Sequence, residues 1–184
     1  ILCDFLPMYP TVSTLMGLWR SVTAEGMEWH DSTDATRQFL DEVDCNSLQC
    51  KPTWTRMNTI VRIEPDCDVL PVRAAYRRSS ATNIGLNYLS SDKFLWVTLA
   101  DCIASKLLTG KSPKIIDAVT FVPANVQTGL APIDISGNTD YRVDPIEHDF
   151  FKRMIELRQE IKNKRDMATG VEREALDTEQ NAIK

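Results

Sequence analysis

Several absences narrow the class of this sequence. It contains no uninterrupted apolar run of about 18–20 residues, the length a helix needs to span a bilayer. It has no excess of positive charge. Its 21 Lys and Arg against 26 Asp and Glu give a formal charge of -5. That excludes a wholly basic nucleic-acid coat and leaves room for a local basic site. Histidine is scarce, with only His30 and His148. The five cysteines, Cys3, Cys45, Cys50, Cys67 and Cys102, are odd in number and irregular in spacing. Cys45 and Cys50 lack a second close pair, so a zinc site fits poorly. Free thiols in a reducing compartment are expected, with Cys3 and Cys102 in apolar, core-like surroundings. No internal repeat is visible. The opening ILCDFLPMYPTV has no initiator Met and no signal-peptide pattern. The end, NAIK, falls inside an expected helix, so the sequence reads as a piece of a longer protein.

What is present fits a folded chain. The 184 residues are 43 % hydrophobic and 26 % charged, enough for one domain, or one plus a projecting element. Ile1–Phe5 reads as a short buried strand with Asp4 near its end. Pro7 and Pro10 then interrupt regular structure around Tyr9. Val12, Leu15, Met16 and Trp19 follow at helical spacing, predicting a helix from Thr11 or Ser13 to about Ala24, with Gly17 as a weak point. A second helix is expected from Thr33 to Val43, capped from Asp31–Asp34. Asp44–Thr55 reads as turns. Thr59–Ile63, Val69–Tyr76 and Gly85–Leu89 read as strands. Asp92–Leu108 predicts a helix closed by Gly110, with Lys106 suiting its negative end. Lys114–Val122 reads as a strand, and 124–145 as loops with one hairpin. Pro145 is expected to open a long helix whose apolar side is Phe150, Phe151, Met154, Ile155, Leu157 and Ile161. The turn Ala168–Gly170 leads into a second helix from Val171, with Ala175, Leu176, Ala182 and Ile183 facing back. The predicted class is α+β with a projecting antiparallel helical hairpin.

Charge is unevenly spread. Residues 1–151 carry a net -6, whereas 152–165 hold six basic and two acidic residues. Arg158 and Lys162 are four apart and share a helix face. Two readings fit that spacing: a solvated face, or a site for a polyanion such as a phosphate chain. Asp4 likewise fits either a cap or salt bridge, or a ligand for a hard divalent cation. Tyr9 fits a core ring or a functional one.

The stretch Asp4-Phe5-Leu6-Pro7-Met8-Tyr9-Pro10-Thr11 resembles motif A of the family B DNA polymerases. Phe151-Lys152 through Leu157-Arg158-Gln159-Glu160-Ile161-Lys162 looks like the first fingers helix of that family. Glu179-Gln180-Asn181-Ala182-Ile183-Lys184 looks like the approach to motif B. The order of the three is the family order, and Leu95–Gly110 looks like a divergent bacterial or phage-like branch. The pattern departs at Pro7, where the family usually has Ser, and no motif C aspartates, exonuclease or thumb are present.

The resemblance implies part of a polymerase palm, a mixed sheet with packed helices, over 1–145. An insertion of unknown role would occupy about 25–145, and 146–184 would be fingers. It implies template-directed addition of dNTPs to a primer 3′-hydroxyl by two-metal phosphoryl transfer. Asp4 would be the catalytic metal ligand for two Mg²⁺ ions. The amides of Met8 and Tyr9 would meet the triphosphate, Tyr9 would exclude a 2′-hydroxyl, and Arg158, Lys162 and Lys184 would grip the phosphates. The implied partners are primer-template DNA, dNTP and the remaining polymerase domains, with no membrane, in the cytoplasm of a bacterial or phage-infected cell. Arg73, Arg77 and Arg78 are weak candidates for the nucleic-acid backbone. The isolated chain is expected to be inactive. The competing readings are a non-catalytic polymerase-like interaction domain, and an unrelated α/β domain with a self-associating hairpin.

Overall fold

The computed structural model describes residues 8–75 and 82–182. The fold is α+β, with a multi-strand sheet and several packed helices. The chain divides into two compact units, one made of 1–27 and 123–184, the other of 28–122. The expected strand at Ile1–Phe5 lies outside the described residues.

The 28–122 unit is built on a four-stranded sheet. Its strands are β1 (Gly26–Asp31), β2 (Thr59–Glu64), β5 (Leu95–Thr98) and β6 (Lys114–Ala124), in the order β1-β6-β2-β5. β2 pairs antiparallel with both of its neighbours, with Val61 opposite Val97 and Ala118. Period-two alternation decides its faces: Thr59, Val61 and Ile63 are buried, while Ile60, Arg62 and Glu64 are not. Helices α3 (Thr33–Glu42) and α5 (Leu99–Thr109) supply Phe39, Leu40, Leu99, Cys102 and Ile103 to the buried set. A two-stranded ribbon, β3 (Asp68–Ala75) with β4 (Thr82–Leu89), pairs from Asp68↔Leu89 to Ala75↔Thr82, and β3 packs on α5.

Local chemistry explains the boundaries. The Asp31 carboxylate accepts the Thr33 amide at 2.8 Å and its hydroxyl at 2.6 Å, so Asp31, one residue before the N-cap Ser32, sets the turn into α3. The expected helix from Asp92 starts only at Leu99. Leu95–Thr98 is a strand instead, because aromatic and β-branched residues there pair with β2. Thr98 and Asp101 then form a reciprocal capping box that fixes the helix start. The segment read as turns holds a short helix, α4 (Lys51–Trp54), between two 3-10 turns.

The other unit holds α1 (Met8–Met16), α2 (Trp19–Val22), a small pair β7 (Ile133–Asp134) and β8 (Arg142–Val143), and the helices α6 (Phe150–Met167) and α7 (Gly170–Ala182). The single helix expected up to Ala24 is two, parted at Gly17, whose φ of 69° glycine adopts without steric cost. α6 begins five residues later than Pro145. Asp144 takes up the Ile146 amide at 2.8 Å in a turn, and Asp149 caps the helix by accepting the Lys152 amide at 3.1 Å. Leu157 and Ile161 are fully buried against Tyr141, with Met154, Ile135 and Leu176 around them. Ala175, expected to face back, is exposed.

Candidate functional site

The site is built on α6. Apolar residues at 150, 154, 157 and 161 recur at helical spacing and turn one stripe of the helix inward. Arg158 and Lys162 lie beside that stripe, on a face they share with Phe151 and Ile155. Trp19 anchors the start of α6. Its ring stacks on Phe150 at 5.5 Å and meets Phe151 edge-on at 5.8 Å. Its indole N–H donates to the Pro145 carbonyl at 2.9 Å. α1 packs directly on α6, so the helix carrying Met8 and Tyr9 touches the helix carrying Arg158 and Lys162.

The six basic residues of 152–165 are not equivalent. Lys152 pairs with Glu156 at 3.5 Å, and Arg153 with Glu156 at 3.5 Å and Glu160 at 3.3 Å. Arg165 is a hub. Its guanidinium holds Asp166 at 2.8 Å, Asp177 at 3.1 Å and the Gln180 amide oxygen at 2.7 Å, tying α6 to α7. Lys164 lies 5.8 Å from the centre of the Tyr141 ring. Arg158 and Lys162 make no hydrogen bond or ion pair with any described residue. The Asp166 carboxyl is held below its usual range by the Arg165 hydrogen bond and charge, with a smaller contribution from Lys162.

Met8 and Tyr9 are the first two residues of α1. The amides of a first helical turn have no acceptor within the helix, and Pro10 brings none to satisfy. Tyr9 is 79 % exposed and Met8 is 51 % exposed, so neither ring nor thioether is used by the core. Asp4, Lys184, Arg77 and Arg78 lie outside the described residues, and Arg73 is placed only by its backbone on β3 of the other unit. Among the described residues, no three of His, Cys, Asp and Glu converge to hold a metal ion.

Two features were missed by reading the sequence. One is the Arg165 hub, which needs α7 folded back to bring Asp177 and Gln180 within reach. The other is a pair of cavities. A cavity of about 370 Å³ in the first unit is walled by Trp19, Arg20, Thr23, Pro123, Val126 and Ile146. A second, in the 28–122 unit, has the buried Asp68 in its wall. Each lies beside a non-glycine residue with left-handed backbone, Asn125 (φ 56°) and Cys67 (φ 58°). No protein-family model, no curated protein and no solved structure matches this chain.

Proposed function

We propose that this chain is part of a template-directed DNA polymerase resembling family B, carrying the start of its palm and its fingers hairpin, with 28–122 inserted between them. The observation that carries the reading is the grouping of the chain. The first of the three stretches that resemble polymerase motifs lies more than 120 residues from the other two in sequence, yet 1–27 and 123–184 form one unit, with α1 packed on α6. The intervening residues form a unit of their own. The selective pairing on α6 supports the same reading, because Arg158 and Lys162, both assigned to the triphosphate, make no hydrogen bond or ion pair with any described residue.

In this reading Arg158 and Lys162 donate charge-assisted hydrogen bonds to phosphate oxygens. Their fixed spacing of one helical turn presents two positive groups along a chain of phosphates. The ring of Tyr9, free of the core, packs under the deoxyribose and leaves no room for a 2′-hydroxyl. The free amides at the start of α1 add partial positive charge facing the same anion. The Mg²⁺ pair implied by the resemblance would rest on Asp4 and on aspartates beyond this chain, and no step is assigned to it from the residues described.

The self-association reading needs the apolar side of α6 in an interface between copies. That side is already occupied inside the chain by Tyr141 and Leu176, which disfavours it.

The test uses the intact parent enzyme. Arg158→Ala and Lys162→Ala are each expected to lower kcat/KM for dNTP about tenfold to a hundredfold, the worth of one charge-assisted contact of about 1.5–3 kcal/mol. Tyr9→Ala is expected to admit ribonucleotides. Wild-type dNTP dependence in both α6 variants would return them to a solvated face, and an unchanged preference between dNTP and rNTP would remove Tyr9 from the sugar site.

A further inference from the structure

We propose that the second cavity, in the 28–122 unit, binds a single guanidinium group through the buried carboxylate of Asp68. The inference is independent of the polymerase reading. The cavity measures about 360 Å³ and has Glu64, Asp66, Asp68, Ser91, Lys111 and Lys114 in its walls.

Asp68 opens β3 and is only 1 % exposed. Its Oδ2 accepts the Asp66 amide at 2.9 Å. Its Oδ1 is buried and has no hydrogen-bond partner. A carboxylate oxygen in that state is costly unless a donor comes to it.

The neighbouring charges say what kind of donor is missing. Lys111 Nζ donates to Asp66 Oδ2 at 2.5 Å, and Lys114 Nζ to Glu64 Oε2 at 2.5 Å. Lys111 Nζ also reaches the Asp66 carbonyl at 3.0 Å. Both ammonium groups are therefore held by the two outer carboxylates. Three carboxylates against two lysines leave the wall one negative charge, and that charge sits on Asp68. The complement is one positive group bearing N–H donors. A hard divalent cation would need about six oxygen ligands, whereas two of the three carboxylates are already engaged by lysine. A guanidinium is planar, carries several donors and is weakly hydrated, so it loses less than an ammonium on entering a narrow polar cleft. The site is also preorganised. The Ser90 hydroxyl accepts the Cys67 amide at 2.9 Å and holds the turn between Asp66 and Asp68.

The test is a titration of the isotopically labelled 184-residue chain, followed by amide NMR. The probes are Nα-acetyl-arginine methylamide and methylguanidinium, with the uncharged citrulline analogue as control. The expected result is saturable shifts at the amides of Asp66, Cys67, Asp68 and Val69 with both cations and not with citrulline. Intermolecular NOEs should run from the probe to those amides. Asp68→Asn is expected to weaken binding at least tenfold, the loss of one charge-assisted contact. Tighter binding of the arginine derivative would assign the natural ligand to a peptide side chain, and equal binding to a small guanidinium compound. Either outcome supports the site. No saturable shift up to about 50 mM probe, weaker than any useful affinity, would overturn it. Equal binding to Asp68→Asn would overturn it as well, as would NOEs to another surface. Should Asp68→Asn fail to fold, the NOEs on the unmodified chain decide alone. Shifts of the same amides by MgCl₂ that exclude the probe would overturn the guanidinium assignment in favour of a metal.

Discussion

Replacing Lys106 by Met should destabilise the 28–122 unit far more than removal of one lysine ordinarily does. Lys106 lies on α5, but its ammonium closes the end of a different helix. Nζ donates to the carbonyls of Leu40 at 2.6 Å, Asp41 at 2.7 Å and Val43 at 3.0 Å. These belong to the last turn and C-cap of α3, where carbonyls have no intrahelical donor. α3 ends in extended backbone at Val43 and not in a glycine cap, so the lysine performs the capping from outside. It also places a positive charge at the negative end of the helix.

A hydrogen bond to a charged group contributes about 1.5–3 kcal/mol, and an acceptor stranded in a buried place costs about 1–3 kcal/mol. The three bonds share one ammonium, so they do not simply add. Leu40 and Val43 are buried, which limits the access of replacement water to their carbonyls. The expected loss for Lys106→Met is about 3 kcal/mol, because Met keeps the aliphatic stem and removes only the donor. Denaturant unfolding followed by tryptophan fluorescence measures it, since Trp29, Trp54 and Trp96 all lie in this unit. The midpoint should fall with the slope unchanged. Lys93→Met, at an exposed position, is the control and should stay within about 0.5 kcal/mol. A loss below about 1 kcal/mol for Lys106→Met would refute the capping argument, because that is no more than a neutral hydrogen bond gives.

Thr98→Ala removes the hydroxyl half of the α5 capping box, leaving the Asp101 carboxylate on the backbone amide of position 98, and should cost about 1 kcal/mol in the same assay, whereas Thr98→Ser should cost little. The Cys102 thiol is pushed up to about 12, by burial first and then by Asp101 and Asp68. Native-state maleimide labelling read by peptide mass spectrometry at pH 8 should therefore modify exposed Cys45, Cys50 and Cys67 and spare Cys102 until the chain unfolds. The Asp66 carboxyl is held below its usual range by the Lys111 hydrogen bond and charge. Its folded pKa lies below the unfolded one, so its contribution to stability is present above the unfolded value and lost as pH falls through the folded value. A carboxyl NMR titration should show the low midpoint, and Lys111→Met should raise it. An unmoved midpoint would mean that the pair does not persist in solution.

What the sequence revealed depended on whether the signal was local. α3 was legible because the Asp31 turn that opens it and its apolar residues Phe39, Leu40 and Val43 lie within one short window. β2 was legible from its alternation. Leu95–Thr98 was misread because its apolar run continues into the apolar face of α5, and one run satisfies both patterns. The capping box at Thr98 and Asp101 was the signal that separates them. Pro145 suggested a helix start, but Asp144 takes the Ile146 amide into a turn and Asp149 takes the Lys152 amide as a cap, which moves the start to Phe150. At the candidate site, the clustering of cations on α6 was plain from composition. Which of them stay unpaired was not, since Arg165 is engaged by Asp177 and Gln180, 12 and 15 positions away. Asp68 was invisible for a related reason. An aspartate at the start of a strand ordinarily belongs to an exposed turn, and only the packing of β3 on α5 buries it.

Several basic side chains of 28–122 are committed to internal contacts: Lys106 caps α3, Lys111 and Lys114 hold Asp66 and Glu64, and Arg62 pairs with Asp117. Arg37 serves the carbonyls of Ile115 and Ile116, and Arg56 lies 3.9 Å from the centre of the Phe39 ring. A polyanion approaching any of these meets a cation already engaged and must break or share an internal contact to bind it. Arg158 and Lys162 have no such contact with any described residue. They are mounted one turn apart on a helix whose adjacent apolar stripe is locked by Leu157 and Ile161, so gripping an anion orders only two side-chain ends. In the proposed reading, cations free of internal pairs on a rigid element, and not the overall charge of -5, are what would let α6 hold a phosphate chain.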